Sequence, residues 1–159
     1  MGENFCFTVN GVERCTSEDK PLLRYLRDDL HLHSVKDGCS EGACGTCTIV
    51  VDGKAVKSCV LTTRRAVGKN IITTEGLSDA EKEAFVYAFG AMGSVQCGFC
   101  TPGFIMSAKA LLDENPDATR EEIRRAISGN LCRCTGYEQL TDAIYQAAEE
   151  LKKLHMEKL

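Results

Sequence analysis

The sequence predicts an α+β protein in two parts, a small mixed sheet with one helix in residues 1–76 and an all-α, four-helix unit in residues 77–159. In the first part, apolar residues alternate with polar ones around Asn-Gly and Asp-Gly turn signals. After Gly76, apolar residues recur at helical spacing behind capping signals. A chain of 159 residues is long enough for two small domains, each with a modest core.

The first part carries signals for two hairpins, one helix and a last strand. The helix is predicted after Pro21 because the leucines that follow share one helical face. The predicted elements are a hairpin over residues 5–9 and 12–16, a helix from Pro21 to Leu30, a second hairpin over residues 48–51 and 54–60, and a strand at Ile71-Ile72.

Four helices are predicted in the second part. Two of them begin at Ser/Thr-x-x-Glu capping boxes, and a third begins at a Thr-Pro pair. The start signals are Ser78 with Glu81, Thr101 with Pro102, Thr119 with Glu122, and an apolar stripe from about Leu140.

Composition excludes several functional classes. The formal net charge is −4, with acidic and basic residues interspersed, so no basic surface for nucleic acid is predicted. No apolar run approaches the ~18 residues that span a bilayer. The N-terminus MGENFCFTVN lacks the basic and apolar regions of a signal peptide. We therefore expect a cytoplasmic protein that binds neither nucleic acid nor membranes.

The chain has ten cysteines but only three histidines. Because a reducing cytosol disfavours structural disulfides, the cysteines indicate metal ligation or redox chemistry. The scarcity of histidine leaves little material for His-containing metal sites or for Ser-His-Asp triads.

The first cysteine set lies in the segment CSEGACGTC. Cys39, Cys44 and Cys47 have the Cys-x4-Cys-x2-Cys spacing of plant-type [2Fe-2S] sites, and Cys59 follows on the predicted returning strand. Thiolates are the soft, anionic ligands that hold iron and sulfide, and the glycines allow the loop to curl around them. A four-cysteine zinc site is the alternative, although structural zinc usually takes paired knuckles.

The second cysteine set consists of Cys97 and Cys100, which precede a predicted helix, and Cys132 and Cys134, which follow another. Antiparallel helices can bring both pairs to one end of the bundle, where the helix N-terminus at Thr101 favours an anionic cluster. Zinc is again the alternative, but one residue between Cys132 and Cys134 is a spacing that zinc knuckles rarely use.

Cys6 and Cys15 remain outside both sets. They lie on or beside the first predicted hairpin. Free cysteines commonly behave as small buried hydrophobes, so we expect a structural role here in preference to a redox role.

Both sets together resemble the small iron-sulfur subunit of the molybdenum hydroxylases, the xanthine dehydrogenase and xanthine oxidase family. The motifs that carry the resemblance are GCSEGACGTCTIVVDG with Cys59 downstream, QCGFCTPG at 96–103 and GNLCRCTGY at 129–137. The resemblance covers nearly the whole chain. It implies a plant-type ferredoxin (β-grasp-like) domain and a four-helix domain, each with one [2Fe-2S] cluster.

The family resemblance also implies partners and a role. A large subunit would carry a molybdenum-pterin cofactor, a medium subunit would carry FAD, and this chain would relay electrons between them, in a dimer of heterotrimers. Gln96 would contact the molybdopterin and Cys134 would lie beside it.

Arg133, between two ligands, would either raise the potential of the neighbouring cluster or reach solvent or a partner carboxylate. The chain has no complete active site of its own, so we expect catalysis only in the complex.

For the substrate of the complex, the CSEGACGTC loop resembles purine dehydrogenases most, which favours xanthine dehydrogenase. Nicotinate, aldehydes, other N-heterocycles, 4-hydroxybenzoyl-CoA and carbon monoxide are the alternatives within the family. A free-standing two-cluster ferredoxin and a zinc-stabilised interaction module are the alternatives outside it.

Overall fold

The structure is a computed structural model that describes residues 4–156. Five strands and the first helix precede four longer helices. The strands are β1 (Phe5–Val9), β2 (Val12–Thr16), β3 (Thr48–Val51), β4 (Lys54–Lys57) and β5 (Asn70–Ile72). The helices are α1 (Leu22–Arg24), which continues as a π-helical turn over Tyr25–Asp29, α2 (Asp79–Ala91), α3 (Thr101–Glu114), α4 (Arg120–Ala126) and α5 (Glu138–Met156). Short 3-10 turns occupy Ser58–Val60, Arg64–Ala66 and Thr74–Gly76.

The five strands form one mixed sheet in the order β2-β1-β5-β3-β4. β1 runs parallel to β5, and the other pairs are antiparallel. Both predicted hairpins are confirmed, and their turns place Asn10 and Asp52 in the left-handed conformation that such turns require. The predicted strand at Ile71-Ile72 is confirmed as β5.

One face of the sheet packs on α1. The buried residues of β1 alternate with more exposed ones, as expected for a strand with one face in a core. Phe7 meets Tyr25 edge to face, with ring centroids 5.4 Å apart. The core of this part is formed by Phe7, Val9, Leu22, Leu23, Leu26, Ile49 and Ile71.

The helices α2 to α5 surround a second core, which includes Phe85, Phe104, Ile123 and Ile144. Val50 of β3 belongs to this core, so the sheet packs against the helices. Within residues 4–156, no helix is both long and apolar enough to cross a membrane.

The helix starts agree with two of the predicted caps. Ser78 and Thr119 each accept a hydrogen bond from the backbone N–H of a glutamate three residues later, which completes both capping boxes. Thr101 was predicted as a cap and is instead the first residue of α3, with Cys100 in the N-cap position and no side-chain capping bond. The predicted fourth helix starts at Glu138, slightly earlier than Leu140.

The second hairpin also ends earlier than predicted. β4 stops at Lys57, and Cys59 lies in a 3-10 turn and not on a strand. The reason is Ser58, whose backbone N–H and hydroxyl both donate to the carbonyl oxygen of Cys47, at 3.1 and 2.9 Å. These bonds turn the chain back toward the cysteine loop.

Candidate iron-sulfur centres

The four cysteines of the first set lie on two neighbouring segments. Cys39, Cys44 and Cys47 lie on the loop that precedes β3, and Cys59 lies on the turn that follows β4. Backbone N–H groups point at two of the sulfurs. Gly42 donates to the Cys59 sulfur at 3.1 Å, and Cys44 donates to the Cys39 sulfur at 3.4 Å. The loop thus presents N–H dipoles to the place where negative charge would lie.

The thiols of this loop differ in acidity. Backbone N–H donors from Cys44 and Glu41 lower the pKa of Cys39 to about 7. Burial, followed by the neighbouring Cys47 thiol, raises the pKa of Cys59 to about 11. Iron would remove both protons, because a coordinating thiol is deprotonated by the metal.

The four cysteines of the second set meet at one end of the helices. Cys97 and Cys100 lie just before α3, and Cys132 and Cys134 lie between α4 and α5. The sulfurs of Cys97 and Cys134 are 3.9 Å apart. The Cys100 thiol contacts Cys132, and its pKa is raised to about 12 by burial first and by Cys132 second.

Thr135 is the polar neighbour of this second set. Its hydroxyl donates to the Cys132 sulfur at 3.1 Å, and its backbone N–H donates to the same sulfur at 3.4 Å. Burial opposes ionisation of Cys132, but these donors, together with the Cys134 N–H and the Cys100 thiol, outweigh it and lower the pKa of Cys132. The arrangement stabilises negative charge on that sulfur.

The cysteines fit two-iron clusters because they approach one another in pairs. Each iron of a [2Fe-2S] cluster needs two protein thiolates in addition to the bridging sulfides. The interacting pairs are Cys39 with Cys44, Cys47 with Cys59, Cys97 with Cys134, and Cys100 with Cys132. The donor set is therefore chemically suited to one cluster in each part of the chain.

The segments that carry the two cysteine sets are in direct contact. The backbone N–H of Leu131 donates to the carbonyl oxygen of Cys44 at 2.8 Å. Asn130 is buried, and its side-chain amide donates to the carbonyl oxygen of Gly45 at 2.9 Å while its oxygen accepts from Ser107 at 2.7 Å. A Cβ on Gly103 would lie 2.5 Å from the Gly45 oxygen, so the chain segments touch without room for a side chain.

The outer end of the second site is open. Cys97 and Cys134 are exposed, as are Gln96 and Arg133. Exposed apolar side chains lie in the same segments of the chain, at Val95, Phe99, Leu131 and Tyr137. Phe104, further along the same segment, is fully buried in the core.

The expectation that Cys6 and Cys15 are free buried thiols was wrong, whereas their structural role stays a prediction. Cys6 lies on β1 and Cys15 lies opposite it on β2, and the two form a disulfide. Cys15 is exposed and Cys6 is partly buried.

Sequence reasoning overlooked two functional residues, Asn130 and Thr135. Both lie inside the GNLCRCTGY motif. The signal that could have found them is a polar residue, able to donate hydrogen bonds, within three residues of a ligand in a cysteine-rich loop.

Comparisons with known protein families give two matches that overlap at residues 73–75. Residues 7–75 match the 2Fe-2S iron-sulfur cluster binding domain, and residues 73–145 match the [2Fe-2S] binding domain. Each match covers the cysteine set of its own part.

Individual relatives agree with these matches. The chain is 49% identical over 144 residues to the nicotinate dehydrogenase small FeS subunit of Eubacterium barkeri, covering 89% of this chain and 92% of the relative. It is 46% identical over 142 residues to the xanthine dehydrogenase iron-sulfur-binding subunit of Escherichia coli O157:H7, covering 86% and 89%. A chain of quinoline 2-oxidoreductase from Pseudomonas putida 86 superposes with a TM-score of 0.83 at 41% identity, covering 95% and 96%.

The paired thiols, the matched domains and the length of chain shared with these relatives lead to one conclusion. The chain has two [2Fe-2S] cluster-binding domains and belongs to the family of small iron-sulfur subunits of the molybdenum hydroxylases.

Proposed function

We propose that this chain relays electrons, one at a time, from a molybdopterin site on a large subunit to FAD on a medium subunit. The observation that carries the proposal is the hydrogen bond from Leu131 to Cys44, because it joins a neighbour of one cluster ligand directly to a ligand of the other. Two thiol sets in such close contact suit serial transfer.

We assign the first cluster to residues 1–76 and the second to residues 77–159. The proposed ligands of the first cluster are Cys39, Cys44, Cys47 and Cys59. The proposed ligands of the second cluster are Cys97, Cys100, Cys132 and Cys134. When bound, each cluster takes up and releases single electrons.

The residues of the chain bind and tune these groups. Buried Cys47 and partly buried Cys100 hold the inner sides of the two sites. Thr135 and the backbone N–H of Gly42 donate to ligand sulfurs, which stabilises added negative charge.

The exposed residues around the second site support a placement for the partner subunits. We propose that the large subunit covers the open end of the second site, where Gln96 contacts the molybdopterin and Cys134 lies beside it. Exposed Val95 and Phe99 support this placement, because apolar side chains at such a rim favour a protein interface. The first site would then face the flavin subunit. We further propose a cytoplasmic dimer of heterotrimers, a location in which the ligand thiols stay reduced for cluster assembly.

For the substrate of the complex we propose xanthine. The support is the CSEGACGTC loop, which resembles that of the purine dehydrogenases most, together with the 46% identity to a subunit named for xanthine dehydrogenase. Nicotinate is the second candidate, supported by the 49% identity to a subunit named for nicotinate dehydrogenase.

The test is to purify the tagged chain from its native cell and to assay iron, molybdenum and flavin in the same fraction. We expect about four irons per chain, as two [2Fe-2S] clusters require, together with two larger subunits, molybdenum and flavin. The purified complex is then assayed for reduction of a dye with xanthine, nicotinate and an aldehyde. Turnover of nicotinate or the aldehyde, with no turnover of xanthine, would overturn the substrate proposal and leave the subunit role intact. Iron without partners, molybdenum or flavin would overturn the subunit role and indicate a free-standing ferredoxin.

A further inference from the structure

Cys6 and Cys15 lie outside the eight proposed ligand positions and have a geometry of their own. They are directly opposite in the antiparallel β1-β2 pair, with Cα atoms 4.1 Å apart. This separation lies just below the usual range of about 4.4–6.8 Å for disulfides and far below the ~7 Å beyond which a bond would require movement of the backbone.

The backbone hydrogen bonds explain why these side chains are so close. The Cys6 carbonyl accepts from Gly68, and the Thr8 N–H donates to Lys69, so the polar groups of both β1 residues face away from β2. Cys6 and Cys15 are therefore a non-hydrogen-bonded pair, the class in which opposing side chains lie nearest.

The pair is also open to solvent. On β1, Phe5, Phe7 and Val9 are buried in alternation, so Cys6 points to the opposite face of the sheet from the core. β2 is the edge strand, and Cys15 on it is exposed. A small thiol or disulfide can therefore reach Cys15 without unfolding of the sheet.

We propose that Cys6 and Cys15 are an accessory two-electron redox site that exchanges with low-molecular-weight disulfides, with glutathione disulfide as the probe. The Cys15 thiolate attacks a sulfur of glutathione disulfide, forming a mixed disulfide and releasing one glutathione thiolate. The Cys6 thiolate then attacks the Cys15 sulfur, closing the Cys6–Cys15 bond and releasing the second glutathione. One dithiol is oxidised and one glutathione disulfide is reduced, and the two protein protons leave with the two glutathiones.

The experiment uses the intact complex, purified without oxygen and incubated at graded ratios of reduced to oxidised glutathione. Acid quenching, alkylation of free thiols, tryptic digestion and mass spectrometry follow. Because trypsin cleaves after Arg14, only a disulfide keeps the peptides of Cys6 and Cys15 together. We expect the linked peptide to rise with oxidised glutathione, to follow a two-electron dependence, and to disappear again when reduced glutathione is restored.

Two variants distinguish the steps. C6S keeps the exposed attacking thiol, so it should accumulate a glutathione adduct on Cys15. C15S leaves only the half-buried thiol and should accumulate several-fold less adduct on Cys6. Iron content and the cluster absorbance should stay constant throughout, because the proposed ligands take no part.

Three results would overturn the proposal. The first is the absence of a linked peptide at every ratio. The second is a linked peptide that reduced glutathione does not remove, which would indicate a purely structural bond. The third is a linked peptide that appears only as iron is lost.

Discussion

Leu131 donates its backbone N–H to the carbonyl oxygen of Cys44 across 2.8 Å, and each of these residues is, or adjoins, a proposed cluster ligand. Asn130 holds this contact from one side, through its bond to Gly45. A side-chain substitution cannot delete the backbone hydrogen bond between Leu131 and Cys44. The contact can instead be tested by substituting Asn130, whose side chain supports it.

We predict that N130A loosens the contact between the two cluster loops. The variant removes the acceptor of Ser107 and a donor to Gly45, both in a buried setting, which should cost about 1–3 kcal/mol of unfolding free energy. Weaker magnetic interaction between the two reduced clusters should appear in the EPR spectrum. The control is N115A, which removes a partly buried asparagine that bonds to Glu122 within the helical part. Equal spectra for N130A and N115A would show that Asn130 does not position the clusters.

A second prediction concerns Gly45. Its φ is +74°, and a Cβ there would collide with the backbone of Gly129 and Asn130. G45A should lose about 1–2 kcal/mol through left-handed strain and about 1–3 kcal/mol more through overpacking. Gly53 is the matched control, because its φ is +81° and its Cβ would meet nothing within 4 Å. Thermal unfolding of both variants would settle the point, and equal losses would mean that the loops separate easily.

The hydroxyl of Thr135 should tune the second cluster. T135V removes a donor to the Cys132 sulfur, and the reduced cluster, which carries more negative charge, loses more stabilisation than the oxidised one. A difference of about 1 kcal/mol corresponds to about 40 mV for one electron, so the midpoint potential should fall by roughly that amount. An EPR-monitored redox titration measures it. T135S retains the hydroxyl and should stay near the parent value, so a drop in both variants would point to a packing effect.

Lys109 links α3 to the cap of α2 by its contact with Glu81, and it also contacts Asp113 on its own helix. Its side chain is only 10% exposed. K82M is the control for the variant K109M, because Lys82 is exposed and 3.9 Å from Asp79, and it should cost under about 0.5 kcal/mol.

The same pair has a defined pH dependence. Burial opposes the charge of Glu81, but Lys109 and Ser78 lower its pKa below 4.5, so its contribution is lost only as pH falls below that value. Burial also opposes the charge of Lys109, but Glu81 and Asp113 raise its pKa above 10.5, so its contribution is lost only as pH rises above that value. The difference in unfolding temperature between parent and K109M should therefore be constant at pH 6, 7.5 and 9. A steady trend across this range would mean that another group titrates with the pair.

Much of this architecture could be predicted because its signals are local. Asn10-Gly11 and Asp52-Gly53 require left-handed turns, and capping boxes at Ser78 and Thr119 satisfy backbone groups only a few residues away. The cysteine spacings were equally local and led to two cluster sites.

What could not be predicted depends on distant residues. Cys59 lies in a 3-10 turn and not on the predicted strand because Ser58 bonds to Cys47. Cys6 pairs with Cys15 because the register of the hairpin places them opposite each other. Asn130 acts on Gly45 across 85 positions of the chain. A periodicity or a spacing read along a single segment carries no information about such partners.

The distance between Gly45 and Asn130 along the chain has a consequence for biosynthesis. At about 5–20 residues per second, the ribosome releases Gly45 roughly 4–17 s before Asn130. During that interval the back of the first cysteine loop has no cover from the segment around Asn130. The nascent chain thus exposes the thiols of Cys39, Cys44, Cys47 and Cys59 for cluster assembly before the helical part can close over them.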